Sequence, residues 1–307
     1  MDVNEFEGLR RYLFSIAYRM LGSASEADDI VQEAYLRLQD APDEPIHSPK
    51  AYLSTVVTRL CLDHLKAARV AREAYRGPWL AEPVPSVDLE PTASELVERG
   101  EAVSLAFITL LERLTPEERA VYVLREAFGY PYDEIAEIVG KSTTATRQLA
   151  HRARQRVAAG EPRFTTSPDV QRRLTERFLA AARHGDMQAL TEILTVDATV
   201  WVDGGADVRA ARRPIRSRDA VARLILGSMR KVYADARATI EEVNGRFAIL
   251  FWDGDTLISA TTVETTGSRI AALHAVMNPT KLAYLRHRLL IQDGPGTSNA
   301  SVPPQRG

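Results

Sequence analysis

Cysteine is almost missing from this 307-residue chain: Cys61 is the only one. An internal disulfide is therefore excluded, and the usage fits a reducing compartment. Cys61 sits in an apolar helical run and reads as a small core residue. Long hydrophobic runs are missing too. Nothing approaches the roughly 18 consecutive apolar residues of a membrane-spanning helix. The opening residues, MDVNEFEGLRR, are acidic and then basic with no apolar stretch, so no signal peptide is expected and the protein is expected to be cytoplasmic. An excess of charge is also lacking. Lys and Arg number 39 against 41 Asp and Glu, for a net charge of −2. No whole-molecule field draws this chain to nucleic acid, so any such contact must come from local patches. There is no P-loop, no nucleophile elbow, no paired carboxylate set and no His/Cys cluster at metal spacing. No cofactor or metal is expected. The apolar fraction is an ordinary 45%, and the length suits about two or three domains.

Against these absences one segment stands out, Tyr130 to Val157, GYPYDEIAEIVGKSTTATRQLAHRARQRV with its preceding glycine. Ile135, Ala136, Ile138 and Val139 give a first helix its apolar face. Gly140 supplies a turn, where the missing Cβ lets the backbone bend cheaply. Ser142 is placed to cap a second helix. On that helix Thr146, Leu149, Ala150, Ala153 and Val157 recur at helical spacing and should face inward. The other face carries Thr143, Thr144, Arg147, Gln148, His151, Arg152, Arg154 and Arg156, with no acidic residue from Lys141 to Arg156. Such a helix after a glycine turn is what a major groove requires of a helix-turn-helix reader. The plainer reading is a solvated amphipathic helix in an all-α bundle.

The rest of the chain divides by texture. Glu5 to about Arg76 reads as helical, with breaks at Gly22–Ser25 and in the proline-rich stretch Asp40–Pro49. Gly77 to Pro91 holds four prolines (Pro78, Pro83, Pro85 and Pro91) and reads as a linker. Helical pattern resumes from Ala93 to Val157. After Pro162, helices over 169–182, 186–194, 218–232 and 281–290 accompany short β-branched or aromatic runs over 199–202, 239–243, 247–252, 256–264 and 269–277. Helices with several antiparallel strands suggest an α+β domain. The expected layout is 1–76 and 93–160 as all-α domains, 77–92 as linker, 168–290 as the α+β domain, and 291–307 as a disordered tail.

The order of these parts is familiar. YRMLGSASEADDIVQEAYLRL (Tyr18 to Leu38), SPKAYLSTVVTRLCLDHLKAAR (Ser48 to Arg69) and the stretch from Leu114 to Val157 resemble an extracytoplasmic-function sigma factor, the class with only sigma-2 and sigma-4 domains. The C-terminal part resembles a SnoaL-like domain, of the cone-shaped α+β fold shared with nuclear transport factor 2 and ketosteroid isomerase. This combination resembles the sigma-J-like subgroup. WLAEPV (Trp79 to Val84) resembles its Trp-Leu-Pro-Glu-Pro-Val linker, with Ala81 for a proline. The run from Val202 to Ile215 resembles its Asp-Gly-Gly-Gly segment, with Ala206 for the last glycine. Asn278, Pro279, Lys281 and Leu282 match its Asn-Pro-x-Lys-Leu stretch.

The resemblance implies partners and roles. The partners are core RNA polymerase (its beta-prime and beta subunits) and promoter DNA, as −35 duplex and −10 single strand. Asp28, Asp29, Gln32 and Glu33 cluster at a helix start, where acids complement the helix dipole; the resemblance adds docking on basic clamp helices of the polymerase. On the third helical run, Tyr52, Arg59, His64, Lys66, Arg69 and Arg72 are the groups available for flipped bases and phosphates. In the reader helix, Arg147 suits guanine and Gln148 adenine, while Arg152, Arg154 and Arg156 suit phosphates.

For the C-terminal domain an enzyme reading stands beside a regulatory one. A cone-shaped pocket could gather Trp201, Asp203, Tyr233, Trp252 and His274, with Asp203 as a general base. Yet Asp203 followed by Gly204 and Gly205 is the chemistry of a turn, and His274 in an alternating strand reads as a satisfied core residue. The favoured expectation is a regulatory domain without catalysis that docks on the sigma half through Asp203, Gly204, Gly205 and Ala206 and the linker of Trp79 and Leu80, with Asn278, Pro279 and Lys281 as further interdomain residues. An unidentified small ligand could occupy its pocket. The alternatives are a DNA-binding protein with a catalytic SnoaL-like domain and a ligand-sensing repressor.

Overall fold

The computed structural model describes residues 3–40, 48–73, 75, 77–89, 104–159 and 166–292. The chain divides into two units, Met1–Ala74 with Val87–Glu161, and Tyr75–Ser86 with Pro162–Gly307.

The described part of the first unit is helical: α1 (Val3–Leu21), α2 (Ala24–Gln39), α3 (Pro49–Glu73), α4 (Leu105–Leu111), α5 (Pro116–Tyr122), α6 (Tyr132–Val139) and α7 (Thr143–Ala158). Their starts follow local chemistry. Ser23 caps α2 by accepting from the Glu26 amide at 3.2 Å. Thr115 and Glu118 form a reciprocal capping box ahead of Pro116. Leu13, Ile16, Ala17 and Met20 of α1 are buried, as are Ile30, Val31 and Ala34 of α2 and Leu53, Val57 and Cys61 of α3. Burial also pushes the Cys61 thiol well above its ordinary range. Polar contacts join the first three helices to the last four. The Tyr12 and Tyr130 hydroxyls lie 2.9 Å apart, Tyr130 donates to Ser54 at 2.8 Å, and the buried Arg119 Nε donates to the Arg19 carbonyl at 3.0 Å.

The second unit opens with α8 (Pro168–His184) and α9 (Met187–Ile193). A six-stranded sheet follows in the order β2-β1-β6-β5-β4-β3. Its strands are β1 (Leu194–Asp203), β2 (Ile215–Arg216), β3 (Arg237–Val243), β4 (Arg246–Asp253), β5 (Thr256–Thr266) and β6 (Arg269–Val276). Helix α10 (Arg218–Lys231) lies between β2 and β3 in the chain, and α11 (Pro279–Gln292) is the last described element. The unit is α+β, as expected, but its sheet is not purely antiparallel. β1 pairs with β6 in parallel, with Trp201 opposite His274, because the β3–β4–β5 meander returns β6 beside β1 in the same direction. β2 escapes the sequence pattern because two residues carry no periodicity.

Alternation along the strands gives the sheet two different faces. Val200 and Val202 of β1, Ile249 and Phe251 of β4, and Thr261 of β5 line a cavity with α8 and α10. Trp201, Asp203, Trp252 and His274 alternate to the opposite face.

Candidate functional site

The linker is built into the C-terminal unit, and Asp203 at the end of β1 is the centre of that construction. The residue is 1% exposed. Oδ1 accepts from the Tyr75 hydroxyl at 2.5 Å and from the Gly205 amide at 3.1 Å. Oδ2 accepts from the Leu80 amide at 2.9 Å and from Lys281 Nζ at 2.8 Å. Lys281, itself buried, also donates to the Leu80 carbonyl. Its ammonium lies 4.2 Å from the Trp79 ring centroid and 4.8 Å from that of Tyr75. Asn278 completes the cluster by donating to the Tyr75 hydroxyl at 3.0 Å. Burial, with the hydrogen bond to Asp203, raises the Tyr75 phenol well above its ordinary range.

The two glycines after Asp203 have steric reasons. A Cβ on Gly204 would meet the Val208 carbonyl oxygen at 2.6 Å. One on Gly205, at φ +62°, would meet the Asn278 amide at 2.6 Å. Pro279 starts α11 and so fixes where Lys281 emerges. A second anchor grips the other end of the linker. The Val84 amide donates to Asn244 Oδ1 at 3.0 Å, the Asn244 amide donates to the Val84 carbonyl at 3.0 Å, and Pro85 bridges to Val243. Asn244 takes a positive φ of 53° in the β3–β4 turn, which asparagine tolerates. Tyr75 and Asn244 were not foreseen from the sequence.

The helix-turn-helix has the geometry its sequence called for. Gly140 ends α6 in the left-handed region at φ 66°. Ser142 caps α7, accepting from the Ala145 amide at 3.2 Å. Thr146, Leu149, Ala150, Ala153 and Val157 are the buried residues of α7. Thr144, Arg147, Gln148 and His151 are exposed, and Thr143 is half-buried. The arginines farther along are occupied. Arg154 donates to Glu126 at 2.7 Å and to the Tyr132 hydroxyl at 3.0 Å. Arg152 reaches the buried Glu118 at 3.3 Å, and Arg156 pairs with the same carboxylate. Arg147 lies over the Tyr132 ring at 5.7 Å.

On α2, Asp28 is taken by Arg10 at 2.8 Å and Glu33 by Arg37 at 3.0 Å. Asp29 and Gln32 are exposed and make no side-chain hydrogen bond or ion pair among the described residues. On α3, Tyr52 is half-buried and Lys66 exposed, while His64 reaches Glu26 at 3.1 Å. Arg59 caps the end of α6, donating to the Ile138 carbonyl at 3.2 Å and the Glu137 carbonyl at 3.0 Å. Here it acts as a helix C-cap of the reader motif. Arg69 and Arg72 lie outside the residues whose side chains are described, as the tail beyond 292 lies outside the described residues altogether.

The cavity of the second unit is about 420 Å³. Of the residues that the sequence suggested for it, Tyr233 lines it, stacked on Phe251 with centroids 4.1 Å apart. Asp203, Trp201, Trp252 and His274 do not, because strand alternation turns them to the other face. Asp203 as a general base in that pocket is thereby corrected. His274 stacks on Trp201 at 4.9 Å, but its Nδ1 has no partner among the described residues, so it is not the satisfied histidine expected. Burial pushes its pKa down to about 4. No group of three or more potential metal ligands occurs among the described residues, and no described helix is long and apolar enough to cross a membrane.

Comparison with known proteins places these parts. Sigma-70 region 2 matches residues 6–70 and Sigma-70 region 4 matches residues 104–157. The chain is 42% identical over 234 residues to the ECF RNA polymerase sigma factor SigJ of Mycobacterium tuberculosis, covering 75% of this chain and 74% of that one. It is 32% identical over 285 residues to the probable ECF sigma factor SigI of the same species, covering 91% and 94%. The crystal structure of SigJ superposes with a TM-score of 0.72 at 34% identity, over 92% of this chain and 99% of that one. The sheet-containing extension beyond region 4 is consistent with a SnoaL-like domain. The chain belongs to the extracytoplasmic-function RNA polymerase sigma factors, subunits that bind core polymerase and direct initiation at chosen promoters.

Proposed function

We propose that the two helical regions act at the promoter and that the C-terminal domain controls them in cis by holding the linker between them. In this reading residues 1–76 are the sigma-2 domain, 93–160 the sigma-4 domain, 77–92 the connection and 168–290 the regulator, all working in the cytoplasm. Asp29 and Gln32 present their free carboxylate and amide to the polymerase, whose beta-prime and beta subunits are the partners. Arg147 and Gln148 read the −35 duplex, and α3 follows the −10 single strand. The observation that carries the regulatory part is the Asp203 carboxylate, which binds Tyr75, Leu80 and Lys281 together. The linker joins the two regions matched at 6–70 and 104–157, so its conformation sets the reach between them.

Run-off transcription with core polymerase tests this. Core enzyme alone should be silent at the cognate promoter and the full chain should activate it. Asp203→Ala should change the yield. A chain that blocks transcription would instead be a repressor, and equal yields from wild type and Asp203→Ala would remove the regulatory role. Reversing Asp29 and Gln32 together to lysine should weaken co-purification with core polymerase while leaving the circular dichroism spectrum unchanged. Undiminished co-purification would remove those two residues from the polymerase contact.

A further inference from the structure

We propose that the C-terminal cavity binds a flat, mostly apolar organic anion, and that its occupancy is transmitted to the linker through the loop after β1. Protein interiors leave few voids larger than a water molecule. A cavity of about 420 Å³ is instead within the roughly 300–1,000 Å³ range of small-molecule sites. Its walls say what would fill it. Phe178, Tyr233 and Phe251 supply aromatic surface, and the last two are stacked within 14° of parallel. Helix α10 contributes Leu224, Ile225 and Met229. Only Val221 and Ala222 of that 14-residue helix are fully buried. Leu224, Ile225 and Met229 are half-exposed, packing against the sheet core on one side and facing the cavity on the other. Water is a poor occupant of such a lining.

Charge selects the sign of the ligand. Arg209 is the charged residue of the lining; it is exposed and pairs with no carboxylate among the described residues. Ser228, Thr261 and Tyr233 add hydroxyls. An aromatic body against the walls with an acidic group at Arg209 satisfies every part of this lining.

The same loop also reaches the linker. Val202, Arg209, Ala210 and Ala211 line the cavity. They also line an adjoining recess with Gly204, Gly205 and the linker residue Gly77. Asp203, which holds Leu80 and Tyr75, sits between Val202 on the cavity side and Gly204. The loop has little slack, since even a methyl group on Gly204 would come within 2.7 Å of the Ala210 side chain. A ligand that displaces Ala210 or Val202 therefore displaces the backbone on either side of Asp203. Coupling of this kind is reciprocal, so loosening the linker must alter ligand affinity as well.

The binding part stands without the regulatory reading above, whereas the coupling part rests on it. The probe is 8-anilinonaphthalene-1-sulfonate, an apolar aromatic anion, titrated by fluorescence into the full chain. Saturable binding at one site is expected, weakened at least tenfold by Arg209→Glu and abolished by Met229→Trp, which fills the cavity. Arg209 is exposed on a loop, so its variant keeps the fold even if Met229→Trp does not. Unchanged affinity in Arg209→Glu would overturn the binding site. Amide exchange at Leu80 and Val84 should change at saturating probe. Identical exchange with and without probe would overturn the coupling while leaving the cavity as a site, and run-off transcription judges the regulatory reading separately.

Discussion

Both Arg154 of the reader helix and Lys281 of the linker anchor are set against carboxylates, but in opposite dielectric surroundings. The Arg154 and Glu126 side chains are 47% and 36% exposed. Those of Lys281 and Asp203 are 8% and 0% exposed. Exposed pairs contribute about 0–1 kcal/mol and weaken with salt. Arginines held so lightly can exchange a carboxylate for a phosphate. A buried pair is different, because removing one partner strands the other charge away from water. Arg154 is thus an exchangeable charge on the reader helix, whereas the linker anchor is a fixture that yields only as a whole.

The largest effect should come from breaking the fixture on one side. Asp203→Ala leaves Lys281 buried without its carboxylate and strips acceptors from Tyr75 and Leu80. It should cost about 3–5 kcal/mol of local stability, measured as lost amide protection at Leu80 and Val84. Replacing both Asp203 and Lys281 with apolar residues should cost less than Asp203→Ala alone. A double variant that is worse than the single would show that hydrogen bonds to the linker, and not the buried charge, dominate.

His274 extends the comparison to a charge the fold refuses. Its folded pKa, about 4, is below the ordinary 6.5. Its stabilising contribution is complete above pH 6.5 and is lost as acid approaches pH 4, because the unfolded chain takes the proton first. The loss should reach about 3 kcal/mol near pH 4. Denaturant titrations at pH 7 and 4.5 should converge in His274→Asn, and an equal acid loss in that variant would assign the effect elsewhere.

The exposed side of the comparison predicts smaller losses. Arg147→Ala should cost about 1–3 kcal/mol on the cognate −35 duplex and relax the preference at one base pair. A uniform loss on all sequences would move Arg147 among the phosphate contacts. Arg154→Ala should change folding stability by less than about 1 kcal/mol while weakening every duplex alike and lowering the salt slope by about one. A base-specific loss there would erase the distinction drawn along α7.

What could be read in the sequence follows the range of the interactions. The two faces of α7 were legible because period and cap are local, and Ser142, Gly140 and the five inward residues all act within that segment. The strands other than the two-residue β2 were legible for the same reason. The parallel pairing of β1 with β6 was not, since it joins Trp201 to His274 across four intervening strands. Nor was the occupation of Arg152 and Arg156, whose shared partner Glu118 lies 34 and 38 residues away. Trp79 and Leu80 stood out as large apolar groups in a proline-rich spacer. Asn244, next to Gly245, looks like any hairpin turn, and nothing local announces that its side chain receives the Val84 amide. Nor was the capping role of Arg59 legible, because a cation on a helix face does not disclose that another helix ends beside it.

The anchoring of Leu80 also sets an order of events at the ribosome. Leu80 binds Lys281, which follows it by 201 residues, so at roughly 5–20 residues per second the two are synthesised about 10–40 s apart. In the later part of that interval, once residue 157 has been added, the sequences of both promoter-contacting regions are complete while the linker's cradle does not yet exist. Each newly made molecule therefore passes through a stage in which its own restraint is still untranslated, and the rate of elongation sets how long that stage lasts.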